Sequence, residues 1–180
     1  MYSIITPIET NRETIAQLAA SREDENDAFR VFLNHKDGGT VDEMVFRLND
    51  IVTPQVDCTK CGACCKMLMI NVTPAEAETV STHLGISNGT FKEKYIEESL
   101  QGQMIMSSIP CHFLNEKICT VYEHRFSECR EFPHLDRKNF KDRLFGTLIH
   151  YAMCPIIFNV VEELKIRTGF KTVSQQEPPL

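Results

Sequence analysis

No apolar run in this 180-residue chain approaches the roughly 20 residues needed to span a bilayer. The longest, Cys154-Pro155-Ile156-Ile157-Phe158, is short enough to be core. No membrane association is therefore expected. No export signal is expected either: Met1-Tyr2-Ser3-Ile4-Ile5 has neither a basic lead nor an apolar core segment behind it. Positive charge is in deficit, with 19 Lys and Arg against 25 Asp and Glu, a net −6. That balance gives no general attraction to nucleic acid. Tryptophan is absent, which excludes nothing. No P-loop, Gly-rich dinucleotide turn, H-E-x-x-H or Ser-His-Asp set stands in the sequence, so ordinary kinase, dehydrogenase and hydrolase readings have no support. No internal repeat is visible, so a solenoid is not expected.

What the chain does have is cysteine. Four of its eight fall within eight residues, Cys58-Thr59-Lys60-Cys61-Gly62-Ala63-Cys64-Cys65. Thiolates held so close repel one another, and a thiophilic cation such as zinc or iron relieves that repulsion. Gly62 lets the backbone turn around the sulfurs without a Cβ in the way. Four more follow at Cys111, Cys119, Cys129 and Cys154. Eight thiols suffice for two tetrathiolate sites, or for one iron–sulfur cluster with thiols to spare. Four disulfides are the competing reading, as in small secreted scaffolds. The missing export signal and the close C-x-x-C spacing both count against it. With reduced thiols required, a cytoplasmic location is expected.

The cysteine motifs come in a recognisable order. After the knot stand Pro110-Cys111-His112-Phe113-Leu114, then Cys119-Thr120-Val121-Tyr122-Glu123, then Cys129-Arg130-Glu131-Phe132-Pro133. This succession resembles the CxxCxxCC cysteine-cluster family (YkgJ-like), described as a zinc- or iron-chelating domain, and flagellin lysine methylases carry a related domain. The resemblance covers Val56 to Pro155. Two positions depart from it: His112 stands where the family has proline, and Phe126 follows Arg125 where the family has Arg-Pro. Both leave every cysteine in place. The resemblance implies a metal-binding domain and no established reaction.

The rest of the chain reads as helices around these loops. Thr10-Asn11-Arg12-Glu13 has a capping-box pattern, and Ile15, Leu18, Ala19, then Phe29, Phe32 and Leu33 recur at helical spacing. Thr40 is placed to cap a helix carrying Val41, Met44, Val45 and Leu48, broken at Pro54. Lys66 to Val72 reads as extended. Thr73-Pro74-Ala75-Glu76 opens a helix that stops at Gly85. A further helix is expected from Phe91 to Ser99, an extended piece at Met104-Ile105-Met106, and closing helices at Phe140–Ala152 and Ile156–Arg167. The fold class expected is mostly α with short extended segments, a small helical domain organised around cysteine-rich metal-binding loops. Its divisions are a helical extension over residues 1–54, the cysteine-cluster domain over 55–170, and a disordered tail over 171–180.

All eight cysteines, Cys58, Cys61, Cys64, Cys65, Cys111, Cys119, Cys129 and Cys154, are candidate ligands of zinc or iron. The distal four are expected near the knot, in one shared region. Adjacent Cys64 and Cys65 are expected to point apart and to serve different ions, or one a metal and the other the core. The three-residue step Cys58, Cys61, Cys64 is also that of ferredoxin ligands, and Cys154-Pro155 has the form of a distant fourth, so an iron–sulfur cluster stands beside zinc. His112 and His150 are weaker candidates, and Arg125 and Arg130 could offset anionic sulfur. Three classes of function compete: a metal-binding protein, an iron–sulfur redox or methyl-transfer-type enzyme, and a metal-stabilised interaction module. No C-x-x-x-C-x-x-C motif of the radical-SAM kind occurs, which lowers the second. No particular protein partner is indicated.

Overall fold

Capping side chains set where five of the nine described α-helices start. The computed structural model describes residues 4–171. The expectation of a disordered tail over 171–180 lies outside the described residues, apart from Lys171. Asn11 accepts from the amides of Glu13 and Thr14 and opens α1 (Arg12–Ala20). The apolar periodicity resumes in α2 (Glu23–Asn34), after a break at Arg22. Asp37, not Thr40, caps α3 (Gly38–Val52): its carboxylate accepts from the Thr40 amide and hydroxyl, both at 2.8 Å. A carboxylate is the stronger acceptor at a helix N-terminus, where the exposed amides carry partial positive charge.

The described residues divide into two compact units, residues 4–56 with 133–171, and residues 57–132. In the first, α1, α2 and α3 pack with α8 (Phe140–Ile149) and α9 (Pro155–Arg167). The central member is α9, with ten buried residues from Pro155 to Lys165. A helix apolar nearly all round has to be enclosed. Its buried polar positions tie down the start of the chain. Glu163 accepts from the Ile5 and Thr6 amides and the Thr6 hydroxyl, and Asn159 exchanges two hydrogen bonds with the Glu9 backbone. α8 ends at Ile149 rather than Ala152, and a turn at Tyr151–Met153 follows.

The second unit starts with α4 (Cys58–Cys61) and a 3-10 turn at Cys64–Lys66. Next comes α5 (Pro74–His83), opened by the Thr73–Glu76 capping box with Pro74 in its first turn, as the sequence indicates. α6 (Asn88–Tyr95) is capped by Ser87 and is shorter than expected. Its expected last turn is instead strand β1 (Ile96–Glu98), antiparallel to β2 (Met104–Met106). Two glutamates, Glu97 and Glu98, would face the negative end of a continued helix, and pairing with β2 satisfies the same backbone groups. On β2's other edge the extended residues 70–72 add three contacts: the bridge Asn71–Ile105, and amide bonds from Val72 to Met104 and from Met106 to Ile70. A hairpin of β3 (Leu114–Asn115) and β4 (Ile118–Cys119), a 3-10 turn (Tyr122–His124) and α7 (Ser127–Glu131) complete it. This unit has its own core, including Val72, Val80, Phe91, Met106, Phe113, Val121 and Phe126. Among the described residues there are nine α-helices and four strands of two or three residues. The chain is mostly α with short extended segments, and no described helix is long and apolar enough to cross a membrane.

Candidate metal centre

Four short segments bring thiols together in the second unit. Asp57 caps α4, accepting from the Thr59 amide at 3.1 Å, and pairs with Lys60 at 3.0 Å. The helix lasts four residues because Gly62 takes a left-handed conformation (φ 60°) and turns the chain. A side chain there would have no room: a Cβ would lie 3.0 Å from the Lys117 carbonyl oxygen and 3.3 Å from Leu114 Cδ1. Glycine is thus needed twice, for the turn and for the close approach of the β3–β4 hairpin that carries Cys119. Cys111 joins through its amide, which donates to the Cys65 carbonyl at 2.8 Å. Cys111, Cys119 and Cys129 all pack against the unit's apolar core.

None of the eight cysteines is in a disulfide. Cys58 is exposed, while Cys61, Cys64, Cys65, Cys111, Cys119 and Cys129 are partly buried. Cys154 belongs to the other unit, buried at the start of α9, its amide donating to the His150 carbonyl at 2.9 Å. The vicinal pair differs from expectation. Cys64 and Cys65 turn their sulfurs toward each other, 3.9 Å apart. The 3-10 backbone of residues 64–66 places consecutive side chains closer than an extended chain would. With metal–sulfur bonds near 2.3 Å, a tetrahedral thiolate site has sulfur–sulfur edges of about 3.8 Å. The pair therefore fits two corners of one site. Among the described residues no three Cys, His, Asp or Glu side chains already stand in ligating geometry. The backbone gathers the thiols, and side-chain rotation must close them on an ion.

Electrostatics couples the same thiols. The hydrogen bond shared with Cys65, together with nearby backbone amides and the Arg125 charge, brings Cys64 down to about 7 against the opposing effect of burial. Cys65 is correspondingly pushed up, by that hydrogen bond, by burial and by the charge of Cys64, Cys111 and Cys119. Burial first, then the Cys64, Cys111 and Cys119 charges, push Cys129 up to about 12. Burial also raises Cys58, Cys111 and Cys119. Raised thiols that feel one another's charge are a donor set needing a cation. The donor chemistry, soft sulfur without a competing carboxylate cage, suits zinc or iron.

Arg125 is the protein's own cation here. Its guanidinium sits 4.0 Å from the Tyr122 ring centre and favours the thiolates of Cys58, Cys64, Cys119 and Cys129. Tyr122 is half-buried and supports that arginine. Arg130, its sequence companion, instead donates to the Arg125 carbonyl. His112 is bonded to Ser107 Oγ at 3.0 Å, and His150 lies in the other unit. No local pattern signals the Lys117–Gly62 approach, because it joins residues 55 positions apart.

Residues 57–147, half of the chain, match the family CxxCxxCC, described as "Putative zinc- or iron-chelating domain". The chain belongs to this family. It is also 30% identical over 102 residues to a protein of Acinetobacter calcoaceticus named "Putative ferredoxin", an alignment covering 57% of this chain and 83% of that protein. No solved structure matches the chain.

Proposed function

We propose that residues 57–132 form a thiolate metal centre whose ligands are drawn from Cys58, Cys61, Cys64, Cys65, Cys111, Cys119 and Cys129. The observation that carries this reading is the gathering of seven undisulfided thiols from four segments of one small unit, with vicinal sulfurs at a tetrahedral-edge distance. A bound zinc would supply a closed structural site, and an iron–sulfur cluster would supply a one-electron carrier. Cys154 lies in the other unit, and the proposal is complete without it. The protein's own contribution is to hold the sulfurs on tight backbone turns, to shield all but Cys58 from full exposure, and to neutralise part of their charge with Arg125. Of the two metals, iron–sulfur is favoured by the Cys58, Cys61, Cys64 step and by the name of the A. calcoaceticus relative. The enzymatic alternative, an iron–sulfur-dependent redox or methyl-transfer reaction, stands behind this reading because no C-x-x-x-C-x-x-C motif of the radical-SAM kind occurs in the sequence.

Anaerobic purification followed by elemental analysis and an absorption spectrum tests the proposal. About one equivalent or more of zinc or iron is expected, with visible charge-transfer bands if a cluster is present. Less than about half an equivalent of zinc plus iron in carefully reduced protein overturns it, because structural thiolate sites bind tightly.

A further inference from the structure

Two histidines outside the thiol set face each other in the cysteine-bearing unit. His83 closes the last turn of α5, and His124 ends the 3-10 turn Tyr122–His124. Their ring centres are 4.2 Å apart, with the planes tilted by 40°. Among the described residues neither ring makes a hydrogen bond or an ion pair. His112 differs, being bonded to Ser107 and set edge-on to Tyr95. Burial does not account for the contact, because His83 is exposed and His124 only half-buried.

Each imidazole stands on anchored backbone. Val80, three residues before His83, and Val121, three before His124, both belong to the unit's apolar core. The amides of Leu84, Gly85 and Ile86 bond back to Val80, Thr82 and Ser81 and close the end of α5, while the His124 amide donates to the Val121 carbonyl at 2.8 Å. The rings therefore meet because two fixed elements hold them together, as a ligand site requires. At His83 the helix also presents its C-terminus, the negative end of its dipole, which favours a cation. Arg125, the arginine next in sequence, is turned onto the Tyr122 ring at 4.0 Å, and Glu123 beside His124 is exposed.

Ligand geometry selects the kind of cation. Metal–nitrogen bonds run about 2.0–2.1 Å and an imidazole centre lies about 1.15 Å behind its nitrogen, so each ring centre stands about 3.2 Å from the ion. Two such ligands at a right angle have centres about 4.5 Å apart, and at the tetrahedral angle about 5.2 Å. The observed 4.2 Å lies nearer the right angle. Right-angled coordination by nitrogen is the preference of copper(II) and nickel(II). Among the described residues no third Cys, His, Asp or Glu joins the pair, so water fills the other positions and the ion is exchangeable.

We propose that His83 and His124 form an imidazole site for a divalent cation of the nickel and copper class, distinct in its ligands from the thiols. It adds to the thiol centre and does not depend on it.

The test uses the full chain saturated with zinc, dialysed, and titrated with nickel(II) at about pH 7.5, where free imidazole is mostly neutral. Calorimetry reads the affinity, and proton–carbon NMR reads the rings of the six histidines. One nickel equivalent is expected, with the His83 and His124 ring signals broadened by the paramagnetic ion ahead of the other four. H83Q and H124Q should each weaken nickel binding at least tenfold, because the second imidazole closes as an intramolecular ligand. Unchanged far-ultraviolet circular dichroism shows that both variants fold. Binding that H83Q or H124Q leaves intact, broadening led by another histidine, or no binding at about 1 mM nickel each overturns the proposal. Zinc measured in the starting sample reports separately on the thiol centre, and the ring signals are read whether or not zinc is there.

Discussion

Substituting Gly62 by alanine separates two costs that the structure predicts. The first is conformational. At φ 60° an alanine is in the left-handed region, a cost of about 1–2 kcal/mol partly offset by the stiffer unfolded chain. The second is steric. The new methyl would meet the Lys117 carbonyl oxygen at 3.0 Å and Lys117 Cα at 3.1 Å, backbone atoms of a hairpin that cannot swing aside as a side-chain tip can. Overpacking of that kind adds about 1–3 kcal/mol. Gly85 provides the control, with φ 68° and no atom of the described residues within 4 Å of its Cβ position. Gly85→Ala should therefore cost about 1 kcal/mol, and Gly62→Ala about 2–4 kcal/mol. Urea unfolding of the metal-free protein reads both. The same variants titrated with zinc read the site, where Gly62→Ala should weaken binding by moving Cys119 off the knot, and Gly85→Ala should not. If Gly62→Ala is no more destabilising than Gly85→Ala, the hairpin does not press on the knot and the gathering of thiols described above is wrong.

Proton release fixes the sign of the pH dependence. Cys58, Cys65, Cys111, Cys119 and Cys129 are raised, so the metal-free protein holds their stabilising contribution below the unfolded thiol value of about 8.5 and loses it as pH rises toward the folded values; Cys64 alone opposes this. Metal binding displaces those protons, so apparent zinc affinity should climb from pH 6 to 8, and competition titrations giving a flat or falling affinity would contradict thiolate ligation. Glu76 joins two helix starts: one carboxylate oxygen accepts from the Thr73 amide and hydroxyl at 2.9 and 2.8 Å, the other from the Ser127 amide. Burial works against its charge, but the Ser127 and Thr73 bonds win and its pKa falls, a contribution present above the unfolded carboxyl value of about 4.3 and lost as pH drops. Glu76→Gln should cost about 1–2 kcal/mol at neutral pH and less near pH 3, measured by urea midpoints; an equal cost at both would refute a role for the charge.

Helices were legible where a side chain announces their start. Thr73-Pro74-Ala75-Glu76 gave α5 from three local signals, and the period of Val41, Val45 and Leu48 gave α3. The end of α6 was not legible, because Ile96–Glu98 takes its strand from pairing with Met104–Met106, whose residues lie six to ten positions on. Nor could the sequence show that residues 4–56 and 133–171 share a core, since α3 and α9 meet across a hundred residues and leave no local trace. The seven clustered thiols were legible as a set by density and order. The inward turn of Cys64 and Cys65 was not, because it depends on a 3-10 turn that two adjacent cysteines do not announce.

Removing metal should affect the cysteine loops unequally, and the core explains why. Both 57–66 and 111–133 carry ligand candidates, so sequence alone suggests that both lose order on chelation. The structure distinguishes them. Residues 111–132 plant Phe113, Val121 and Phe126 in the unit's core, at 4, 2 and 2% exposure. Three such side chains contribute about 1.5–3 kcal/mol each by burial, with no metal involved. Residues 57–66 have only Gly62 and Ala63 buried, and their remaining ties are the Asp57 cap, the Gly62–Lys117 approach and the backbone bonds at Cys64–Cys65. Chelation also restores thiol–thiol repulsion mainly where four cysteines lie in eight residues. Amide exchange should therefore quicken by on the order of a hundredfold over 57–66 and by less than about tenfold over 111–132, while Phe91 and its neighbours in α6 keep their protection. Global unfolding on chelation would show that the metal, not the apolar cluster, holds this unit, and unchanged protection over 57–66 would show that no metal holds the knot.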